Sequence, residues 1–507
     1  MAHHRPRRRT LLALASAAVV TASCYGGAAL AAPAPDEPPS THVPVPTPEG
    51  MLMSYVVNAK QANPGQTRLA EQAVRDAGGV VAQSWPQIGV VIAHSTHATF
   101  RTDVVRLAKG HAVESAGPTR TAAVTEGTPD ALPASKAPGS RGASAYQKKG
   151  QHKVAGYYAG ADVVAAAPAA DPREGEQWDM AMIKADAAHA LTDGSRNVVV
   201  GVLDSGIESA HPDLAPNIDA KDSVSCINAG RPDQTPGSWE PTTSGHGTHV
   251  AGTIAAARNG IGIVGVAPNV RLASVKVVND AGFIYPEYAV CGFVWAADHG
   301  MDVTNNSYYV DPFEFWCGDQ PEQAPALEAV RRAVAYSEKK GVVSAAAAGN
   351  SSYDLSNKTT NDSSPNDADE PVLRTINSSC QDIPAELDGV VTTSSLTSSG
   401  ALSSFSNRGL GSIDVSAPGS SVLSTWPWGG YAKLSGTSMA SPHAAGVLAL
   451  LKSTHPNASP AELVRLLRAQ ADDHVCTTAA RGAACVGTEQ DNSYYGEGIV
   501  DALDAVK

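Results

Sequence analysis

What most limits the fold of this chain is a set of runs beyond residue 174, among them NVVVGVLDSG, VRLASVKVV, GVVSAAAAGN and GVVTTSS, separated by stretches of helical pattern. These runs are apolar at consecutive positions, so both faces of each strand have to be covered. Buried strands alternating with helices predict an α/β domain with a mostly parallel sheet between helical layers. Residues 434–451, LSGTSMASPHAAGVLALL, add a helix that is apolar nearly all round from Met439 to Leu451, as in the interior of a large core. Ser438 is then expected in the first turn, where outward-pointing N–H groups favour a developing negative charge. Pro442 is expected to be tolerated as part of that early region, because an N–H there has no partner to lose. Taken alone, Thr437 or Ser438 serves equally well as a helix cap.

The rest of the chain divides into three territories. Residues 1–31 have a basic start, a short apolar stretch and an Ala29-Leu30-Ala31 site before a Pro-rich segment, which makes a secretory signal peptide and predicts a secreted, extracellular protein. The apolar stretch is too short and broken for a stable membrane span. Arginines 7–9 also fit a twin-arginine signal weakly, and Cys24 is a candidate for lipidation. Residues 51–122 interleave period-two runs (MSYVVNA, GVVAQSW, GVVIAHS) with helical ones (RLAEQAVRDAG, TFRTDVVRLAKG), predicting a small βαββαβ unit of α+β, ferredoxin-like type. Residues 123–173 are rich in Ala, Pro, Gly, Ser and Lys without periodicity and read as a flexible linker before a domain at 174–507. A formal charge of −13, with no long basic run outside the N-terminus, argues against nucleic acid as a partner. Beyond the signal the cysteines are Cys226, Cys291, Cys317, Cys380, Cys476 and Cys485, an even number that suggests disulfides in an exported chain. Cys476 with Cys485 is the expected short-loop pair. The other four allow three connectivities, with Cys226–Cys291 and Cys317–Cys380 preferred but not dictated.

Three polar positions interrupt this apolar pattern. Asp204 ends a fully apolar strand, at the edge where open α/β sheets build their sites. His246 and His249 lie one turn apart at a helix start, without the glutamate or third ligand of a metal motif. Singly, such an aspartate is usually a turn residue and such a histidine structural. Together with Ser438 they supply orienter, base and nucleophile for acyl transfer.

The segments VLDSGI, HGTHVAGT and GTSMASPHAAG, in that order, resemble the three signature motifs of the subtilisin-like serine peptidases, over roughly residues 174–507. The G-x-S-x-G elbow of lipases and esterases is absent around Ser438. The resemblance implies a three-layer subtilisin-like fold and a serine endopeptidase in which Ser438 is nucleophile, His246 general base and acid, Asp204 orienter, and Asn350 an oxyanion donor. It also implies a groove for extended polypeptide substrates between Asp280-Ala281-Gly282-Phe283, read as one strand, and Ser307-Tyr308-Tyr309 as the other. Tyr309 stands where the family usually has glycine, and its bulk predicts a preference for small or modest P1 residues over Phe and Tyr. A structural calcium is implied on the side-chain oxygens of Asp213, Asn259 and Gln177 and the carbonyls of Ala257, Ile261 and Ile263, and no organic cofactor is expected. Residues 51–122 resemble the family's inhibitor propeptide, which implies an autoprocessed zymogen with its own propeptide as intramolecular partner; a monomer is expected. Two alternatives stay open at this point: a catalytically silent secreted binding module, and a surface lipoprotein held through Cys24.

Overall fold

The computed structural model describes residues 37–126, 170–476 and 484–507. The signal peptide, Cys24 and most of the linker lie outside them. In the N-terminal unit β1 (Met53–Ala59), α1 (Pro64–Asp76), β2 (Val80–Trp85), β3 (Val90–Ser95), α2 (Phe100–Leu107) and β4 (Val113–Pro118) form an antiparallel sheet of order β2-β3-β1-β4. Its strands are buried on both sides for different reasons. Tyr55, Val57, Val91 and Ala93 pack beneath α1 and α2, whereas Val56, Val90 and Ile92, on the opposite face, pack against the larger domain.

The larger domain carries β5 (Val199–Asp204), β6 (Val224–Asn228), β7 (Arg231–Asp233), α3 (His246–Ala255), β8 (Arg271–Lys276), α4 (Pro286–Asp298), β9 (Val303–Asn306) and α5 (Ala324–Lys339). It continues with β10 (Val343–Ala347), β11 (Val390–Leu396), β12 (Val415–Pro418), the hairpin β13 (Val422–Trp426) and β14 (Gly430–Leu434), α6 (Thr437–Thr454) and α7 (Pro460–Ala469). The eight-stranded sheet runs β12-β11-β10-β9-β5-β8-β6-β7, parallel except for the antiparallel edge strand β7. Alternate residues of each strand go to opposite layers. Val200, Val202, Leu272 and Ala345 meet α3 and α6, while Val199, Leu203, Ala273 and Ala346 meet α4 and α5. This is the three-layer α/β fold expected from the continuous apolar runs.

Helix α6 is buried from Thr437 to Leu451, as its composition requires. Pro442, however, is its sixth residue and not part of the first turn. Its missing N–H deprives the Ser438 carbonyl of a helical partner, and the Ser307 hydroxyl donates to that carbonyl instead, at 2.9 Å. The disulfides are Cys226–Cys291, Cys317–Cys380 and Cys476–Cys485, the pairing preferred from sequence. The docked part of the larger domain begins before residue 174, since Asp171 accepts from the Gly260 N–H at 2.7 Å and the Arg173 N–H donates to the Gly262 carbonyl at 2.8 Å.

Candidate active site

Asp204 lies at the carboxyl end of β5, between β9 and β8, where the parallel strands all point their C-termini. It is 1% exposed, and its Oδ1 accepts from the Ser205 N–H at 2.7 Å. His246 opens α3, and its Nδ1 lies 2.8 and 2.9 Å from the two Asp204 oxygens. A proton on Nδ1 is therefore fixed, and Nε2 is left as the basic nitrogen. Gly247 makes this approach possible, because a Cβ there would stand 2.5 Å from the Gly206 carbonyl oxygen and 3.1 Å from Asp204 Oδ1. Burial pushes the His246 imidazole down, but the Asp204 charge and hydrogen bond outweigh it and leave the pKa above the ordinary value.

His249, one turn on, has a different environment. It is fully buried, and its Nε2 faces the carbonyls of Val422 and Ala432 at 3.2 and 3.1 Å, so it carries the hydrogen there. Burial, with the charge of His246, pushes it down to about 3. It is a neutral strut that ties α3 to the β13–β14 hairpin.

Ser438 sits in the first turn of α6 at 1% exposure. Asn350 follows β10 through Gly349, whose φ of +98° and 2.3 Å Cβ clearance to Asn407 Nδ2 demand glycine. The Asn350 side chain is oriented by Thr437, whose N–H and hydroxyl both donate to its Oδ1, at 2.8 and 3.0 Å. The amide Nδ2 lies 3.5 Å from where a Cβ on Gly436 would stand, and the Ser438 nitrogen lies 3.6 Å from that same point. Asn407 was not found from sequence. It braces this turn by donating to the Ala348 carbonyl (2.7 Å) and accepting from the N–H groups of Ser351 (3.2 Å) and Tyr353 (2.9 Å), a role no local motif announces.

Along the groove, residues Asp280 to Gly282 form a turn and not a strand. Asn279 closes it, its Oδ1 accepting from the N–H groups of Ala281 and Phe283 at 3.0 Å each, and Gly282 takes φ +89°. The chain extends after Phe283. Ile284 there exchanges backbone contacts with Asp311, its N–H donating to Asp311 Oδ2 at 2.6 Å and its carbonyl accepting from the Asp311 N–H at 2.7 Å. Asp311 is pushed up to about 7 by burial, against the hydrogen bonds it accepts from Ile284 and Asn366. On the facing segment Ser307 holds the Ser438 carbonyl, and buried Tyr308 donates to Asn306 Oδ1 at 3.1 Å. The Tyr309 hydroxyl accepts from Asn366 Nδ2 at 3.1 Å, and burial, with the charges of Asp311, Glu314 and Asp382, pushes its pKa well up. That bond ties the ring to Asn366, and Tyr309 stays partly exposed.

Three of the cation candidates each engage the loop at 257–264. Asp213 is fully buried; its Oδ2 accepts from the Ile263 N–H (3.1 Å) and the Tyr431 hydroxyl (2.8 Å), while its buried Oδ1 has no hydrogen-bond partner among the described residues. The Asp213 carbonyl accepts from the Ala257 N–H at 2.7 Å. Asn259 Oδ1 accepts from the Ile261 N–H (3.1 Å) and Gln177 Oε1 from the Val264 N–H (3.0 Å). Each of these amide oxygens retains a second lone pair, the donor type that a hard cation takes. Burial, against the hydrogen bonds from Ile263 and Tyr431, pushes the Asp213 carboxyl above its ordinary range.

No helix among the described residues is long and apolar enough to cross a membrane. Comparison with known proteins gives a consistent picture. The family model described as the Subtilase family matches residues 195–498. Subtilisin DY of Bacillus licheniformis is 33% identical over 330 residues, covering 65% of this chain and 98% of the relative. Subtilisin E of Bacillus subtilis (strain 168) is 34% identical over 333 residues, 65% of this chain and 71% of the relative. Among solved structures, the epidermin leader peptide processing serine protease of Staphylococcus aureus superposes with a TM-score of 0.62 at 21% identity, covering 90% of this chain and 98% of that one. Fervidolysin of Fervidobacterium pennivorans gives 0.61 at 22% identity, covering 90% and 61%. The family model matches more than half of the chain, and a relative covered over nearly its whole length is 33% identical, so the chain belongs to the subtilase family and is a serine endopeptidase.

Proposed function

We propose that this chain is made as a secreted, monomeric zymogen, and that its larger domain hydrolyses peptide bonds in extended polypeptides through Ser438, His246 and Asp204. The observation that carries the catalytic assignment is the double contact of His246 Nδ1 with Asp204, which leaves Nε2 unprotonated and basic. Ser438 Oγ attacks the scissile carbonyl while His246 Nε2 accepts its proton. The imidazolium that forms is stabilised by Asp204, and it returns the proton to the leaving amine; water then hydrolyses the acyl-enzyme by the same sequence. The oxyanion is received by the Ser438 N–H at the positive end of α6 and by Asn350 Nδ2, presented by the grip of Thr437 on Oδ1.

The N-terminal unit acts as inhibitor and folding template. Its support is the packing of Val56, Val90 and Ile92 on α4 and α5, together with the tail 119–126, whose Thr121 and Ala122 N–H groups donate to Asp367 at 2.8 and 3.2 Å. Parallel sheets assemble through contacts distant in sequence, which a docked template accelerates. A calcium ion on Gln177, Asp213, Asn259 and the carbonyls of Ala257, Ile261 and Ile263 would neutralise the buried carboxylate and pin the loop that follows α3.

Fluorophosphonate labelling tests the chemistry. Wild type is expected to be labelled at Ser438, and Ser438→Ala to remain unlabelled and be secreted as the larger, unprocessed species in a host lacking extracellular proteases. Normal processing of that variant would refute self-cleavage; absence of labelling in wild type would refute the nucleophile.

A further inference from the structure

Arg120, just past β4, leaves the N-terminal unit and buries its side chain in the larger domain, at 2% exposure. Its guanidinium carbon lies 3.7 Å from the centroid of the Tyr285 ring and 5.5 Å from that of Tyr288. It donates to the Tyr288 hydroxyl at 3.2 Å and pairs with Glu287. Glu126, from the same tail, is the second carboxylate against it, at 2.9 Å.

Glu287 stands in the first turn of α4 and is fully buried. Its Oε1 takes Arg120 and, at 3.0 Å, the Ser54 hydroxyl, both from the N-terminal unit. Its Oε2 makes no hydrogen bond among the described residues. The larger domain therefore supplies two aromatic rings and a buried carboxylate, and the cation comes from the part that departs on maturation. A buried carboxylate left without a counter-charge is costly.

The hole adjoins the substrate groove. The Tyr285 ring stacks on that of Phe283 at 5.5 Å, and Ile284, between them, is tied to Asp311. The next tail residue, Thr121, is held by Asp367, beside the Asn366 that binds the Tyr309 hydroxyl.

We propose that Tyr285, Glu287 and Tyr288 form a guanidinium-binding subsite, filled by Arg120 in the zymogen and by an arginine side chain of the polypeptide substrate in the mature enzyme. The inference rests on the zymogen reading above. Arginine suits the hole better than lysine, because a planar guanidinium stacks on Tyr285 while pairing with Glu287, which an ammonium does not do. The subsite makes the enzyme selective for a residue away from the scissile bond.

The test uses the matured enzyme and fluorogenic peptides in which one arginine is moved through successive positions upstream of the cleaved bond, on an alanine background. Intact mass first establishes whether residues 37–126 have left. If they remain bound to an active enzyme, the zymogen reading falls, and this proposal with it. Once they have left, arginine is expected to raise kcat/KM over alanine by about tenfold or more at one position, as a charge-assisted hydrogen bond allows. Lysine is expected to raise it less. In Glu287→Gln the arginine-to-alanine ratio at that position should collapse towards one. A wild-type scan without a tenfold position, or an undiminished ratio in Glu287→Gln, overturns the subsite alone. The wild-type scan decides by itself if the variant does not fold.

Discussion

Asp204 acts on His246 through both charge and hydrogen bond, and a pH profile separates this from simple geometry. Because the imidazole is held above its ordinary value and must be neutral to accept a proton, kcat/KM should rise with pH through a limb lying above about 6.5. Asp204→Asn removes the charge, so that limb should move to lower pH, and kcat should fall by roughly 10⁴, the scale known for losing this orienter. An unmoved limb would show that another group titrates. Asn350→Ala should lower kcat by roughly 10² to 10³, the usual cost of one oxyanion donor, with KM little altered. Ser307 and Pro442 make a third, purely structural test. Ser307→Ala leaves the buried Ser438 carbonyl bare, at about 1 to 3 kcal/mol of stability measured by denaturant unfolding. Adding Pro442→Ala restores an N–H to that carbonyl and should recover much of the loss; no recovery would mean the hydroxyl matters for another reason. Asp204, His246 and Ser438 stand out in the sequence because each breaks an apolar or glycine-rich context. Asn407 and Asp311 do not, since each acts on a partner brought near only by folding: Asn407 braces Ala348, and Asp311 holds Ile284.

Among the elements, the two groove segments depend on a single titratable bridge. Asp311 ties the extended chain at Ile284 to the segment after Tyr309, and burial raises it to about 7 from an ordinary value near 4. In the folded state it binds a proton that the unfolded chain releases, so stability should decline as pH rises from about 4 to 7 and level off above, by as much as about 4 kcal/mol at 1.36 per pH unit. Asp311→Asn lacks the titration and should flatten this window in chemical denaturation at stepped pH, at the cost of one acceptor. An unchanged slope would place the proton elsewhere. The buried strands were legible as runs because parallel ladders covered on both sides leave no alternation to obscure them. The turn at 280–282 was read as a strand because its geometry is set by the Asn279 side chain and not by composition. Pro442 was placed too early for a related reason: the helix begins at Thr437, and the partner that compensates the proline lies on another element.

At the scale of the whole molecule, the joints that hold loops far apart in sequence should dominate stability. Cys226–Cys291, at a separation of 65 residues, ties β6 to α4, and replacing both cysteines by serine should cost about 4 kcal/mol on chain-entropy grounds, read as a lower unfolding midpoint. If Asp213 holds calcium, a chelator should lower Tm in the wild type and not further in Asp213→Ala; equal sensitivity in both would exclude this site. The fold of the N-terminal unit was legible in its alternating patterns, but its seat was not, since an apolar strand face reads the same whether it covers its own helices or another domain. Nor did composition mark the segment before it. The Ser40 N–H and hydroxyl bond to Asp319, Thr41 pairs with Thr375, and Val43 is buried against the larger domain. On the zymogen reading, with the Arg120 tail gripped at the other end, a single cut in the linker should release nothing by itself, because both grips belong to the same fragment and must let go together. Escape should then be slow for an isolated molecule and fast once a free neighbour can shred the fragment. Activity should appear after a quiet interval and then climb in a self-accelerating burst, with the interval shortening as the protein is concentrated; an interval indifferent to concentration would mean that each molecule frees itself alone.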